Sequence, residues 1–202
     1  MKKSLKTEIT KEKILNAAVE EFGIHGYEGA TVNQICQKHN ISKGLIYHNF
    51  ENKDELYLCC VDEAVTEFIS YMQEYEFTSD FKFYMQKRCA FFEIHPYYSH
   101  LIFSFILSDD EKFSQKVKEI KNRFDVFNKN IYMRVINKLT LRSGVSREDA
   151  LQYYILLQNM LNSYLSMDNK SDKGFVSLID SHEKSLEKIL DFILYGIAKE
   201  ND

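Results

Sequence analysis

Residues Thr31 to Phe50 read TVNQICQKHNISKGLIYHNF, and this stretch limits the chain's architecture more than any other. Thr31-Val32-Asn33-Gln34 has the T-x-x-Q form of a capping box opening a short helix. Val32 and Ile35 begin its apolar face, and Cys36 supplies a small side chain where a second helix must cross closely. Asn40 falls at the bend, where the backbone needs a residue tolerant of left-handed angles. Ile41 fills the corner, Ser42 caps the next helix, and Lys43 to Asn49 form that helix with Leu45 and Ile46 facing inward. Lys43, Gly44, Tyr47 and His48 are then left at the exposed end, the part of a recognition helix that meets DNA. Any packed helical hairpin also needs a cap and a bend, so the flanking residues must decide between the two readings.

Upstream, Lys11 to Gly26 places Ile14, Leu15, Ala18, Val19 and Phe22 on one helical face, and Gly23, Gly26 and Gly29 break that helix ahead of Thr31. Downstream, Asn52-Lys53-Asp54-Glu55 is a second capping box, opening a long helix through Leu56, Val61, Val65, Phe68 and Met72. The set Ile14-Leu15-x-Ala17-Ala18-x-x-x-Phe22, Gly26-Tyr27, Thr31-Val32, Ile35-Cys36, Ile41-Ser42-Lys43-Gly44, Tyr47, Phe50, Lys53 and Leu56 resembles the tetracycline-repressor (TetR) family over about residues 8 to 60. Two positions depart from that pattern: Cys36 stands where alanine is commoner, and Asn49 where an aromatic or histidine usually precedes Phe50. The resemblance implies a DNA-binding transcriptional regulator. It assigns Thr31, Tyr47, His48 and Lys53 to the phosphate backbone, and Ser42, Lys43 and Gly44 to the base edges, where Lys43 can donate to guanine. A packing role for Tyr47 is the competing assignment.

Composition agrees with an all-α chain. One proline and seven glycines in 202 residues are too few for the turns of an all-β fold. The length accommodates an N-terminal three-helix helix-turn-helix DNA-binding domain, residues 1–52, and a larger helical ligand-binding and dimerisation domain, residues 53–202. The net charge of −4 is unusual for a DNA binder until it is divided along the chain. Residues 1–60 hold eight lysines against eight acids, so the negative excess lies in the remainder. The head must therefore act through placement of charge. Lys2, Lys3, Lys6, Lys11 and Lys13 form a basic arm that either reaches phosphates or an adjacent minor groove or is a solvated tail. Met1 to Thr10 is polar and basic, unlike a signal peptide, and a cytoplasmic protein is expected. Cys36, Cys59, Cys60 and Cys89 contain no C-x-x-C pair and read as reduced thiols, with redox sensing as the alternative.

The remaining chain carries helical periodicity. Phe81 to Ile94 is amphipathic and stops at His95-Pro96. Tyr97 to Leu107 has no charged residue. Ser108-Asp109-Asp110-Glu111 caps a helix running through Phe113, Val117, Ile120, Phe124, Phe127, Ile131 and Val135. Gly144 ends that region, and Ser146-Arg147-Glu148-Asp149 opens the next helix. Ala150 to Met167 again has no formal charge, yet Gln152, Gln158, Asn159 and Asn162 argue against a membrane span. A final helix is striped by Ile179, His182, Leu186, Ile189, Leu190, Ile193 and Ile197. These last two helices suit a four-helix interface between two copies, and the resemblance implies the same homodimer. Two heads would then read the half-sites of a palindromic double-stranded operator.

Phe91, Phe92, His95, Tyr98, His100, Phe103, Tyr154 and Gln158 are candidates for lining a mainly lipophilic or aromatic small-molecule effector site, although such a stripe can equally be core. Glu93 is either a partner for a cationic effector or a solvated residue. His95 and His100 are poorly spaced for a metal, and no cofactor is expected. No nucleophile–base pair or phosphate-cradling glycine loop points to an enzyme. The expectation is a homodimeric repressor released by its effector. Control by a protein partner or cysteine oxidation, or action as an activator, is the alternative.

Overall fold

The computed structural model describes residues 2–77, 81–107, 114–168 and 175–197. Among them run nine helices: α1 (Lys2–Gly29), α2 (Val32–His39), α3 (Lys43–Asn49), α4 (Lys53–Gln73), α5 (Phe81–Ile94), α6 (Pro96–Ile106), α7 (Ser114–Ile136), α8 (Arg147–Asp168) and α9 (Phe175–Ile197). The expected all-α architecture is the one observed. No helix among the described residues is long and apolar enough to cross a membrane. The Ser108–Glu111 capping box lies outside the described residues, as do the side chains of Lys2, Lys3, Lys6, Phe113 and Ile197.

Two compact units divide the chain. The first comprises residues 1–68, 92–105 and 109–120, and the second residues 69–91, 106–108 and 121–202. The first three helices thus share a unit with much of α4 and α6, a grouping wider than residues 1–52.

In the first unit, α1 is one helix interrupted once. Gly26 takes φ 66° and ψ −179°, angles that a side chain resists, and the chain turns there. The helix passes straight through Gly23, contrary to the expected break, because that glycine serves packing. A Cβ on Gly23 would lie 2.6 Å from the Tyr97 Cβ and 2.7 Å from its Cα, so α1 and α6 meet backbone to backbone. The His100 ring donates to the Gly23 carbonyl at the same crossing, while its half-burial holds the imidazole below its ordinary value.

The second unit is organised by a buried ion pair. Arg88 on α5 donates through Nε to Glu183 Oε2 at 2.6 Å and through Nη2 to Glu183 Oε1 at 3.0 Å. Its Nη1 reaches Asn128 Oδ1 of α7 at 3.3 Å, and the Tyr84 hydroxyl donates to that same oxygen. The His182 ring bridges Glu183 Oε1 at 3.0 Å and Asn162 Oδ1 of α8 at 3.1 Å. Arg88, Glu183, His182, Asn128 and Tyr84 are all buried. α8 packs along α9, and the Tyr132 hydroxyl of α7 donates to the Ala150 carbonyl of α8 at 3.1 Å. Ser146 opens α8 as expected, accepting from the Asp149 amide at 3.0 Å while Asp149 accepts from the Ser146 amide at 2.9 Å.

Burial alone would raise the Glu183 carboxyl, but the Arg88 guanidinium and the His182 ring together hold it below the ordinary carboxylate value. A lowered folded-state value contributes stability above the ordinary carboxylate range, and that stability is lost as pH falls through the folded value. Glu183→Gln strands the Arg88 charge and is expected to cost about 3–5 kcal/mol at neutral pH. It should also flatten the acid-side loss of stability. Denaturant unfolding at neutral and acid pH measures both effects. Gly23→Ala is expected to cost about 1–3 kcal/mol through overpacking against Tyr97, read from the same unfolding curves.

Candidate nucleic-acid interface

Helices α2 and α3 are held at a fixed angle by local chemistry. Thr31 is the N-cap of α2, with extended angles and its Oγ1 accepting from the Gln34 amide at 3.2 Å. The Thr31 hydroxyl in turn donates to Gln34 Oε1, so the box closes side chain to side chain. At the other end Asn40 adopts φ 52°, ψ 46°, and the Ile41 amide bonds the Cys36 carbonyl at 3.1 Å. Asn40 is the one non-glycine with positive φ among the described residues. Asparagine tolerates that conformation, which lets the chain reverse in three residues. Ser42 then caps α3, its Oγ accepting from the Leu45 amide at 3.3 Å. Ile35, Ile41, Ile46 and Phe50 fill the space beneath the corner.

The outward face of α3 presents Lys43, Gly44, Leu45, Tyr47 and His48, all exposed. Leu45 differs from its expected inward position, at 39% exposure against 1% for Ile46. A two-turn helix has room for one central apolar anchor, and the residue 100° from it stands on the rim. Leu45 is therefore a surface residue that sequence reasoning missed, suited to contact with a thymine methyl. Asn49 Nδ2 donates to the Leu45 carbonyl at 2.8 Å, so its amide is engaged within α3.

Glycine at position 44 is not required by the fold. Its φ lies outside the left-handed region, and an added Cβ would meet nothing within 4 Å. An exposed helical glycine is unfavourable by roughly 1 kcal/mol relative to alanine, so its use here is compatible with close approach of another molecule.

The flanking cations are steered by aromatic rings. Lys53 Nζ sits 4.3 Å from the centre of the Tyr27 ring, and the Tyr27 hydroxyl donates to Asp54. Tyr27 rests against Tyr57 at 5.0 Å, and Tyr57 against Phe22 at 5.2 Å. Lys43 Nζ lies 6.0 Å from the Tyr47 ring and Lys11 Nζ 5.4 Å from that of Phe50. α4 begins with the Glu55 amide donating to Asn52 Oδ1 at 2.8 Å. Lys38 pairs with Glu20 of α1 at 2.7 Å, which lowers the Glu20 carboxyl and binds α2 to α1. Neither α2 nor α3 contains an acidic residue, so Lys43 on the exposed side of α3 has no carboxylate within its own helix pair.

The effector-site candidates separate between the two units. In the first, Phe92 stacks on Phe68 at 5.5 Å and meets Phe103 at 5.0 Å, while His95 stacks on Tyr98 at 5.7 Å. Burial, with Glu63 and Glu67 nearby, raises the Tyr98 hydroxyl to about 12. In the second, Phe91 meets Tyr71 at 5.4 Å and Tyr154 stacks on Tyr132 at 4.1 Å. Phe91, Phe92, Phe103 and Tyr154 are buried, whereas His95, Tyr98, His100 and Gln158 are half-buried and Glu93 is exposed. Among the described residues no cluster of histidine, cysteine or carboxylate side chains could hold a metal.

Residues 14–60 match the model of bacterial regulatory proteins of the tetR family. Over 62 residues the chain is 34% identical to the biofilm operon icaADBC HTH-type negative transcriptional regulator IcaR of Staphylococcus epidermidis, covering 31% of this chain and 34% of that protein. The Staphylococcus aureus IcaR is 26% identical over 147 residues, 71% of this chain and 69% of that one. Among solved structures, a transcriptional regulator from Rhodococcus sp. Rha1 superposes with a TM-score of 0.67 at 18% identity, covering 95% of this chain and 99% of that one. FadR from Bacillus subtilis, solved with stearoyl-CoA, gives 0.63 at 20% identity over 92% and 98% of the two chains. These folds, the capped helix pair and the sequence match agree. Residues 14–60 thus form a domain of the tetR-family type, and beyond them the chain shares with these regulators its fold.

Proposed function

We propose that this regulator is a homodimeric repressor that binds a palindromic double-stranded operator and is released by a small, mainly lipophilic or aromatic effector. The observation that carries the DNA-reading part is the acid-free, exposed face of α3, with Gly44 at a point where nothing in the chain requires glycine. In this reading Lys43, Gly44 and Ser42 meet base edges, and Thr31, Tyr47, His48 and Lys53 meet phosphates. Residues 1–52 act as the reading head and 53–202 as the effector-binding and dimerising body.

An outward stripe on α8 supports dimerisation through the last two helices. Tyr153, Leu156, Met160 and Tyr164 recur at helical spacing, each more than half exposed, and Phe192 of α9 is 77% exposed. An uncharged stripe of this kind gains by covering itself with a second copy. FadR of Bacillus subtilis was solved with stearoyl-CoA in a similar fold. For this chain the lipophilic effector rests on its own aromatic helices, with His95, Tyr98, His100 and Gln158 as polar handles. Effector binding shifts the population of α4 positions, changes the spacing of the two recognition helices and weakens their joint fit to the operator.

Gly44→Ala should stabilise the head by roughly 0.5–1 kcal/mol yet weaken operator binding, a divergence that a purely structural glycine would not give. Lys43→Ala is expected to cost about 1–3 kcal/mol on the operator and to relax base preference. Lys53→Ala should weaken binding to all sequences alike and lower the salt slope by about one. Fluorescence anisotropy across a salt series, beside thermal unfolding, reads all three, and unchanged binding in every variant would remove α3 from the interface. Leu156→Glu should yield a folded monomer in sedimentation equilibrium. A persistent dimer would place the interface elsewhere.

A further inference from the structure

We infer that Cys59 and Lys116 form a peroxide-responsive covalent link between α4 and α7, an inference that rests on the chain being a DNA-binding regulator. The Lys116 Nζ lies 3.6 Å from the Cys59 sulfur, as a donor to it. An amine this close to a thiol is placed to trap the sulfur's first oxidation product. Cys59 is half-buried and so open to a small oxidant. Its neighbour Cys60 is fully buried with its thiol pushed well up by burial, which keeps that sulfur protonated and unreactive. None of the four cysteines is in a disulfide, and the group paired with the Cys59 sulfur is an amine.

The chemistry runs in two steps. A hydroperoxide transfers one oxygen to the Cys59 sulfur, giving the sulfenic acid and releasing an alcohol, or water when the oxidant is hydrogen peroxide. The Lys116 ammonium then gives a proton to solvent, and its lone pair attacks the sulfenic sulfur. The S–O bond breaks, an S–N bond forms, and water departs with the former peroxide oxygen. The product is a sulfenamide lacking two hydrogens relative to the reduced chain. An external thiol reverses it by attacking sulfur, which frees the amine and leaves a mixed disulfide, and a second thiol then releases the Cys59 thiol as the disulfide of the external thiol. Cys59 lies in the second turn of α4, and α4 starts at Lys53, directly after the recognition helix. Cys59 and Lys116 belong to the compact unit that holds α2 and α3, so the link stiffens the helix that follows the recognition helix.

The test treats the full-length reduced protein with stoichiometric hydrogen peroxide and maps it by tandem mass spectrometry, before and after dithiothreitol. A Cys59–Lys116 cross-linked peptide, reversed by thiol and absent in Cys59→Ser and Lys116→Arg, is the expected result. Arginine keeps the positive charge but not the amine, so its variant separates bond formation from charge. Operator affinity should shift by about tenfold on oxidation of the wild type and not of either variant, within the usual range of coupling between sites. Recovery of Cys59 as sulfinic acid or as a disulfide with another copy, with Lys116 unmodified, would overturn the link. A link that leaves affinity unchanged would overturn its regulatory role. If the reduced protein bound no operator at all, the regulator reading would fail while the peptide map still decided the chemistry.

Discussion

The second unit depends on the Arg88–Glu183 pair, because neither charge can be buried without the other. Two ions removed from water lose several kcal/mol of hydration each, and only close, multiply bonded geometry offsets that loss. Here the geometry is bidentate, and Asn128, Tyr84 and His182 satisfy much of what the pair leaves over. An apolar pair of the same size would be about as stable, so the charges do more to specify arrangement than to add stability. They tie α9 to α5, and through Asn128 and the His182–Asn162 bond they include α7 and α8. With its inner side engaged by α9 and by Tyr132, α8 turns Tyr153, Leu156, Met160 and Tyr164 outward.

The head solves a different physical problem, presenting positive charge from a segment with no net charge. It does so by segregation. The acids of the first sixty residues lie on α1 and around the start of α4, while α2 and α3 have none. Glu20 neutralises Lys38 at the rear of α2, and aromatic rings hold Lys53 and Lys43 near the exposed end of the helix pair. A ring positions an ammonium without neutralising it, so the charge stays available at the surface. The left-handed Asn40 and the two caps hold the pair at a fixed angle, so in the proposed complex these groups would be pre-positioned and little ordering entropy would be lost.

What the sequence disclosed follows the range of the forces involved. Caps and bends act over three or four residues, so Thr31, Asn40, Ser42, Asn52 and Ser146 are readable from the sequence alone. So was the stop at His95-Pro96. Gly23 was misread because its role is set by Tyr97, 74 residues away, and Leu45 because a helix of two turns has too short a period to settle its inner face. The pairing of Arg88 with Glu183 was not readable, since no local pattern connects positions 95 apart. Their signal is weak but present: a charged residue inside an otherwise apolar helical stripe, as Glu183 sits beside His182, needs a partner. The aromatic candidates show the opposite limit. Periodicity identifies Phe91, Phe92 and Phe103 as inward-facing, but it does not distinguish residues that contact one another from residues that contact a guest.

The central claim, that two copies of the α2–α3 pair read DNA together, is met most directly by selecting bound duplexes from a random pool at near-physiological salt and sequencing them. An enriched consensus with two inverted half-sites, separated by the spacing of heads in a two-fold dimer, is the expected result. Enrichment of a single asymmetric site, or recovery of duplexes no different from the starting pool, would contradict it.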